Sequence, residues 1–170
     1  AGVYTIPCNK NTGKLGVAEF CEGISADPCY VALFNGKLLT ADYSGGAVTV
    51  FGMNDNGKVD GRLTCVNLAD NSISTDEEVS HAHTVNPINN ESALVITDLG
   101  THRVYFAEKS QTNNSGFAII DTVQLEKGLG PRHIDVTPDG KYCYILGELS
   151  GLIQALFLDG KNIKKVGNAV

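Results

Sequence analysis

Arg132, His133 and Glu148 are residue types suited to chemistry on an anionic substrate. Arginine grips anions with a planar fork, histidine exchanges protons near neutral pH, and a carboxylate can take a proton from water. They fall in one stretch, Gly128 to Gly151, which reads GLGPRHIDVTPDGKYCYILGELSG. His81 and His83 form a second group in SHAHTV. Two residues apart on a regular strand, they would share a face. That pattern also suits zinc, but no third ligand stands at convincing spacing, so neither a metal nor another cofactor is expected.

A hairpin must position the first group. Pro131 fixes the backbone just before Arg132 and His133. Ile134, Val136 and Thr137 favour a strand, and Pro138-Asp139-Gly140 is a turn. Tyr142 to Leu146 returns as a strand, which brings Glu148 back to the end where Arg132 and His133 enter.

The same plan recurs upstream. Apolar runs are short and are punctuated by Gly, Asn, Asp and Pro, with no long amphipathic helix, so the chain reads as all-β. Strands are expected at Val3–Ile6, Gly16–Cys21, Pro28–Phe34, Lys37–Ala41, Ala47–Phe51 and Leu63–Leu68. Others start at His83, Ala93, Arg103, Ala118, Ile134, Tyr142, Leu152 and Ile163. Asn35-Gly36 is a hairpin turn. Asn54 to Gly61 and Asn86 to Asn90 read as loop and turn, and residues 70 to 80 as an exposed connection. Each unit runs strand, turn, strand, acid-containing Gly loop, strand, polar loop, strand.

The acids of those loops, Asp42, Asp98 and Glu148, align at separations of 56 and 50 residues. A four-stranded unit repeating at ~40 to 50 residues is a β-propeller blade. A β-sandwich is the competing architecture. The expected blades cover 28–70, 81–126 and 131–168 of a single partial domain, with 1–22 as the tail of a preceding blade. The strands near Tyr30, His83 and Ile134 should lie nearest the axis. Three blades and part of a fourth do not close a ring, so the remaining blades are expected from the same or a complementary chain.

Composition narrows the function. The 170 residues carry a formal net charge of −6 with no basic cluster, which argues against a nucleic-acid partner. No apolar run approaches the ~20 residues of a membrane helix. Five cysteines, an odd count without a Cys-x-x-Cys pair, read as buried reduced thiols of a cytoplasmic protein. The chain starts at Ala1 rather than Met, which reads as a start that was cut or processed.

Four segments then stand in a recognisable order: Ser80 to Val85, Thr97 to Val104, Gly128 to His133, and Gly147 to Ser150. In these the chain resembles the lactonase family of seven-bladed β-propellers, which includes propeller-type 6-phosphogluconolactonases and carboxymuconate-cyclising enzymes. Ala41 to Val48 also resembles the family, although many members carry Asn at the position of Asp42. The resemblance implies a site at one mouth of the central channel, built from His81 or His83, Arg132 and Glu148. A further family arginine would lie beyond Val170.

Each residue has a plainer alternative. Arg132 could instead tie blades together through carbonyls, and Glu148 could simply be its ion-pair partner. Asp98 and His133 are carried as substrate-binding candidates. Their alternatives are loop capping for Asp98, as for Asp42, and backbone bonding for His133, as for His102. The tyrosines read as packing between blades. The resemblance implies hydrolysis of a small anionic sugar lactone, 6-phosphogluconolactone first, with water activated by Glu148 or a histidine and the oxyanion or an anionic substrate group held by Arg132. A muconate-type cyclase and a non-catalytic binding propeller are the other readings.

Overall fold

The computed structural model describes residues 1–69 and 79–170. Fourteen strands and no α-helix occur among them. β1 (Gly2–Thr5) and β2 (Glu19–Glu22) pair as a two-stranded sheet. Three antiparallel four-stranded sheets follow. They are β3 (Pro28–Phe34), β4 (Lys37–Asp42), β5 (Ala47–Met53) and β6 (Val59–Asn67); β7 (Ala82–Ile88), β8 (Ala93–Asp98), β9 (Arg103–Lys109) and β10 (Phe117–Gln124); β11 (Pro131–Val136), β12 (Tyr142–Gly147), β13 (Ile153–Leu158) and β14 (Ile163–Val166). Within each sheet the strand order follows the chain. The first strands β3, β7 and β11 lie against one another, β7 in the middle. The fold is all-β, a partial β-propeller.

Burial follows the two-residue period of a strand. In β8 every residue is buried, because the middle sheet has a neighbour on both faces. Leu94 and Ile96 pack with Phe34, Leu39 and Val50 of the preceding sheet. Val95 points the other way, among Cys143, Ile145 and Leu156 of the following one. In β9, Tyr105 and Ala107 join the first cluster, and Val104 and Phe106 the second. β12 alternates instead: Cys143 and Ile145 are buried, while Tyr142, Tyr144 and Leu146 are exposed. One face of that sheet therefore lies uncovered. Each large apolar side chain taken fully out of water contributes about 1.5–3 kcal/mol, so these two interfaces hold the sheets in register.

Several boundaries differ from the sequence reading. β6 begins at Val59, inside the expected Asn54–Gly61 loop, since Gly57 at φ 75° closes a tight turn with Asn54. β7 runs on through Pro87 to Ile88, where a turn was expected. Proline is tolerated because β7 is an edge strand, whose outward N–H has no ladder partner to lose. Asn35-Gly36 turns with both residues at positive φ (48° and 73°), as a tight hairpin of right-handed twist requires. Most of the connection expected at 70 to 80, and the last residue of the first expected blade, lie outside the described residues. All five thiols are free, but Cys143 alone is buried; Cys8 and Cys29 are exposed, against expectation. Burial pushes the Cys143 thiol up to about 12.

Candidate active site

A repeated irregularity at the start of each innermost strand builds the site. The ladder slips between Pro28 and Tyr30, between Ala82 and Thr84, and between Pro131 and His133. Each slip is a β-bulge, leaving one residue without a cross-strand partner: Cys29, His83 and Arg132. A bulge re-aims its side chain, and here three equivalent bulges stand on three adjacent strands.

The bulges are stapled to the neighbouring sheet. Thr97 Oγ1 donates to the Arg132 carbonyl at 2.8 Å, with Thr84 Oγ1 at 3.2 Å from the same oxygen. The Cys29 Sγ lies 3.4 Å from the His83 carbonyl and 3.6 Å from that of Ala82. Upstream of Arg132, the Gly130 amide donates to the buried His102 ring at 3.2 Å, which holds the loop before Pro131.

His83, Arg132 and Glu148 meet. Arg132 Nε donates to His83 Nε2 at 3.0 Å and lies 2.7 Å from Glu148 Oε2. The Glu148 carboxylate is 3.9 Å from His83 Nε2. Among the described residues, no protein group bonds the two terminal nitrogens of Arg132. His83 is 7% exposed. Burial and then the Arg132 guanidinium lower its pKa below the ordinary imidazole value, with Glu148 opposing. Because Nε2 accepts from Arg132, the neutral ring carries its hydrogen on Nδ1, which is buried and unpartnered.

A stability consequence follows. An unfolded histidine takes up a proton near pH 6.5, before folded His83 does. The unfolded state therefore binds more protons in that window, and stability falls as pH drops through about 6.5. Denaturant midpoints at pH 7.5 and 5.5 should differ less in His83→Gln than in the wild type; an equal difference would contradict the buried neutral ring.

The other expected residues divide. His81 precedes β7 rather than sharing its regular face with His83, and its Nδ1 donates to the Tyr43 carbonyl at 3.0 Å. It stacks on the Tyr43 ring at 4.4 Å, and the His83 ring meets that same tyrosine edge-on at 5.9 Å. His133 is exposed and meets His83 edge-on at 5.6 Å. Asp98 is 0% exposed and so has no surface to offer a ligand. Its carboxylate accepts from Ser80 Oγ at 2.6 Å and from the amides of His81 (2.8 Å), Gly100 (3.1 Å) and Thr101 (3.2 Å). Asp98→Ala strands those donors and is expected to lower unfolding free energy by about 3 kcal/mol, read from a denaturant midpoint. An unchanged midpoint would refute the capping role.

The alignment of the three acids is off by one residue. Asp42 pairs with Pro28, Asp98 with Ala82, and Gly147 with Pro131. The amides of Tyr43, Leu99 and Glu148 then bond back to Asp27, His81 and Gly130. Glu148 thus matches Tyr43 and Leu99, while the position of Asp42 and Asp98 is filled by Gly147. A Cβ on Gly147 would come within 2.6 Å of the Leu129 carbonyl oxygen, so no acid fits there. A one-residue step reverses the face of a strand side chain. Asp42 is buried, bonded by Thr40 and Thr49 hydroxyls, and burial raises its pKa. Glu148 stays 43% exposed beside Arg132.

No group of three or more metal-ligating side chains occurs among the described residues. Nor is any helix there long and apolar enough to cross a membrane.

Comparison with known proteins decides the family, because the profile of the lactonase seven-bladed β-propellers matches residues 1–168. The chain belongs to that lactonase family. A 6-phosphogluconolactonase of Bacillus subtilis is 27% identical over 162 residues, which is 91% of this chain and 44% of that protein. An uncharacterized Lactococcus lactis protein is 30% identical across 91% of this chain and 48% of its own length. A crystal structure of a candidate 6-phosphogluconolactonase from Bacteroides uniformis superposes with a TM-score of 0.83 at 26% identity, covering 98% of this chain and 49% of that one. The chain spans about half the length of the curated relatives it matches along most of its length.

Proposed function

We propose that the complete propeller hydrolyses a sugar lactone, with 6-phosphogluconolactone the first substrate to test. The single observation that carries this is the Arg132–Glu148 pair, 2.7 Å apart beside a neutral histidine, with the terminal guanidinium nitrogens unengaged among the described residues. Family membership and the Bacillus subtilis relative support the substrate class. Further blades, from the same or a complementary chain, would close the ring around this mouth.

The mechanism follows from what each group has left to give. The Nε2 lone pair of His83 is already taken by Arg132, which leaves Glu148 as the base. Its carboxylate removes a proton from water as the water oxygen adds to the lactone carbonyl carbon. The carbonyl oxygen gains negative charge, which the Arg132 terminal nitrogens stabilise. Collapse breaks the bond from carbonyl carbon to ring oxygen. Protonated Glu148 returns its proton to that oxygen, giving an open-chain hydroxy acid that ionises to the carboxylate. His83 fixes the Arg132 side chain through Nε and fills the space behind it.

A binding module is the second reading, since an arginine and a glutamate engaged with each other also satisfy a purely structural pair. Acid release from 6-phosphogluconolactone, and beside it the unphosphorylated lactone, tests the choice in the complete propeller. Enzyme-dependent hydrolysis supports the first reading; rates equal to the uncatalysed ones with both lactones would leave the second.

A further inference from the structure

The off-by-one register has a further consequence. Position for position, Tyr43 stands where Glu148 does: each follows directly on the second strand of its sheet, and each amide bonds back to the residue before the first strand. Cys29 likewise stands where Arg132 does, at the equivalent bulge. The β3–β6 sheet therefore presents its own pair to the same mouth, on the side of His83 away from Arg132. Contacts bear this out at Tyr43, whose ring meets His83 edge-on at 5.9 Å and stacks on His81 at 4.4 Å.

Tyr43 packs between the sheets, yet part of it stays open. It is only partly buried, whereas the equivalent Leu99 of the middle sheet is buried and apolar. Its carbonyl is engaged by His81 Nδ1, and its amide by Asp27. The phenol oxygen, by contrast, bonds to no group among the described residues. A tyrosine whose ring is clamped by two histidines and whose hydroxyl is unpaired is a pre-oriented hydrogen-bond donor.

We propose that Tyr43 is a substrate-positioning residue, donating its hydroxyl to a hydroxyl of the sugar lactone from the wall facing Arg132 and Glu148. This rests on the lactone reading of the site. Tyr43 touches none of the reacting atoms in this arrangement; it sets where the ring lies.

Tyr43→Phe removes the hydroxyl and keeps the ring that stacks on His81, so the fold is retained. In the complete propeller the variant should raise KM roughly threefold to tenfold, the range of one neutral hydrogen bond, with kcat and melting temperature unchanged. Calorimetric titration with 6-phosphogluconate, the open acid, gives a readout independent of turnover and should show the same loss of affinity. Wild-type binding that Tyr43→Phe leaves unaltered would overturn the role of Tyr43 alone. A wild-type propeller that neither binds the acid nor hydrolyses the lactone would overturn this inference together with the reading beneath it.

Discussion

Arg132→Ala in the complete propeller is expected to lower kcat for lactone hydrolysis by ~10² to 10³, the cost of losing one donor from an oxyanion site. The expectation rests on a division of labour within the guanidinium. Nε is committed to His83 and Glu148, which holds the plane of the fork, while the terminal nitrogens face no protein partner among the described residues. Lysine at this position keeps the charge but loses the planar fork and the bond to His83, so Arg132→Lys should recover only a small part of the loss. Steady-state kinetics checks both. A rise in KM with kcat preserved would move Arg132 from the oxyanion to the substrate phosphate.

Glu148→Gln is the second large effect, with kcat expected to fall ~10² or more. The amide is nearly isosteric but cannot accept a proton from water. Folding should hardly notice the change. The Arg132 and Glu148 side chains are 41% and 43% exposed, and an ion pair so open to solvent contributes only about 0–1 kcal/mol. A melting curve beside the rate measurement separates the two effects. A large drop in melting temperature with the rate intact would make Glu148 a structural ion-pair residue.

The sequence carried the β period, the Asn35-Gly36 turn and the Arg132–Glu148 hairpin because each is local. Val95 between Leu94 and Ile96 shows why a strand buried on both faces still reads as a strand: its run from Ala93 to Ile96 is unbroken apolar and β-branched in part. Register was harder. Asp42, Asp98 and Glu148 look equivalent as acids in glycine loops, yet cross-strand pairing puts Gly147 in the series and Glu148 one step beyond. Spacing alone cannot see a bulge, and each innermost strand here holds one. The same blindness hid Tyr43 and Cys29, whose relation to Glu148 and Arg132 emerges only once the ladder is drawn. Spacing could not choose between a ligand contact and loop capping for Asp98 for a related reason, since the four donors that use up its carboxylate come from residues before β7 and after β8.

The most direct test of the site is a double-mutant cycle in kcat on the complete propeller: wild type, Arg132→Ala, Glu148→Gln and the double variant, each acting on 6-phosphogluconolactone. Groups that act as one catalytic unit are strongly non-additive. The double variant is therefore predicted to be about as slow as the slower single variant. Loss in the double variant equal to the product of the two single losses, or single variants that turn over at the wild-type rate, would contradict a catalytic unit built from Arg132 and Glu148.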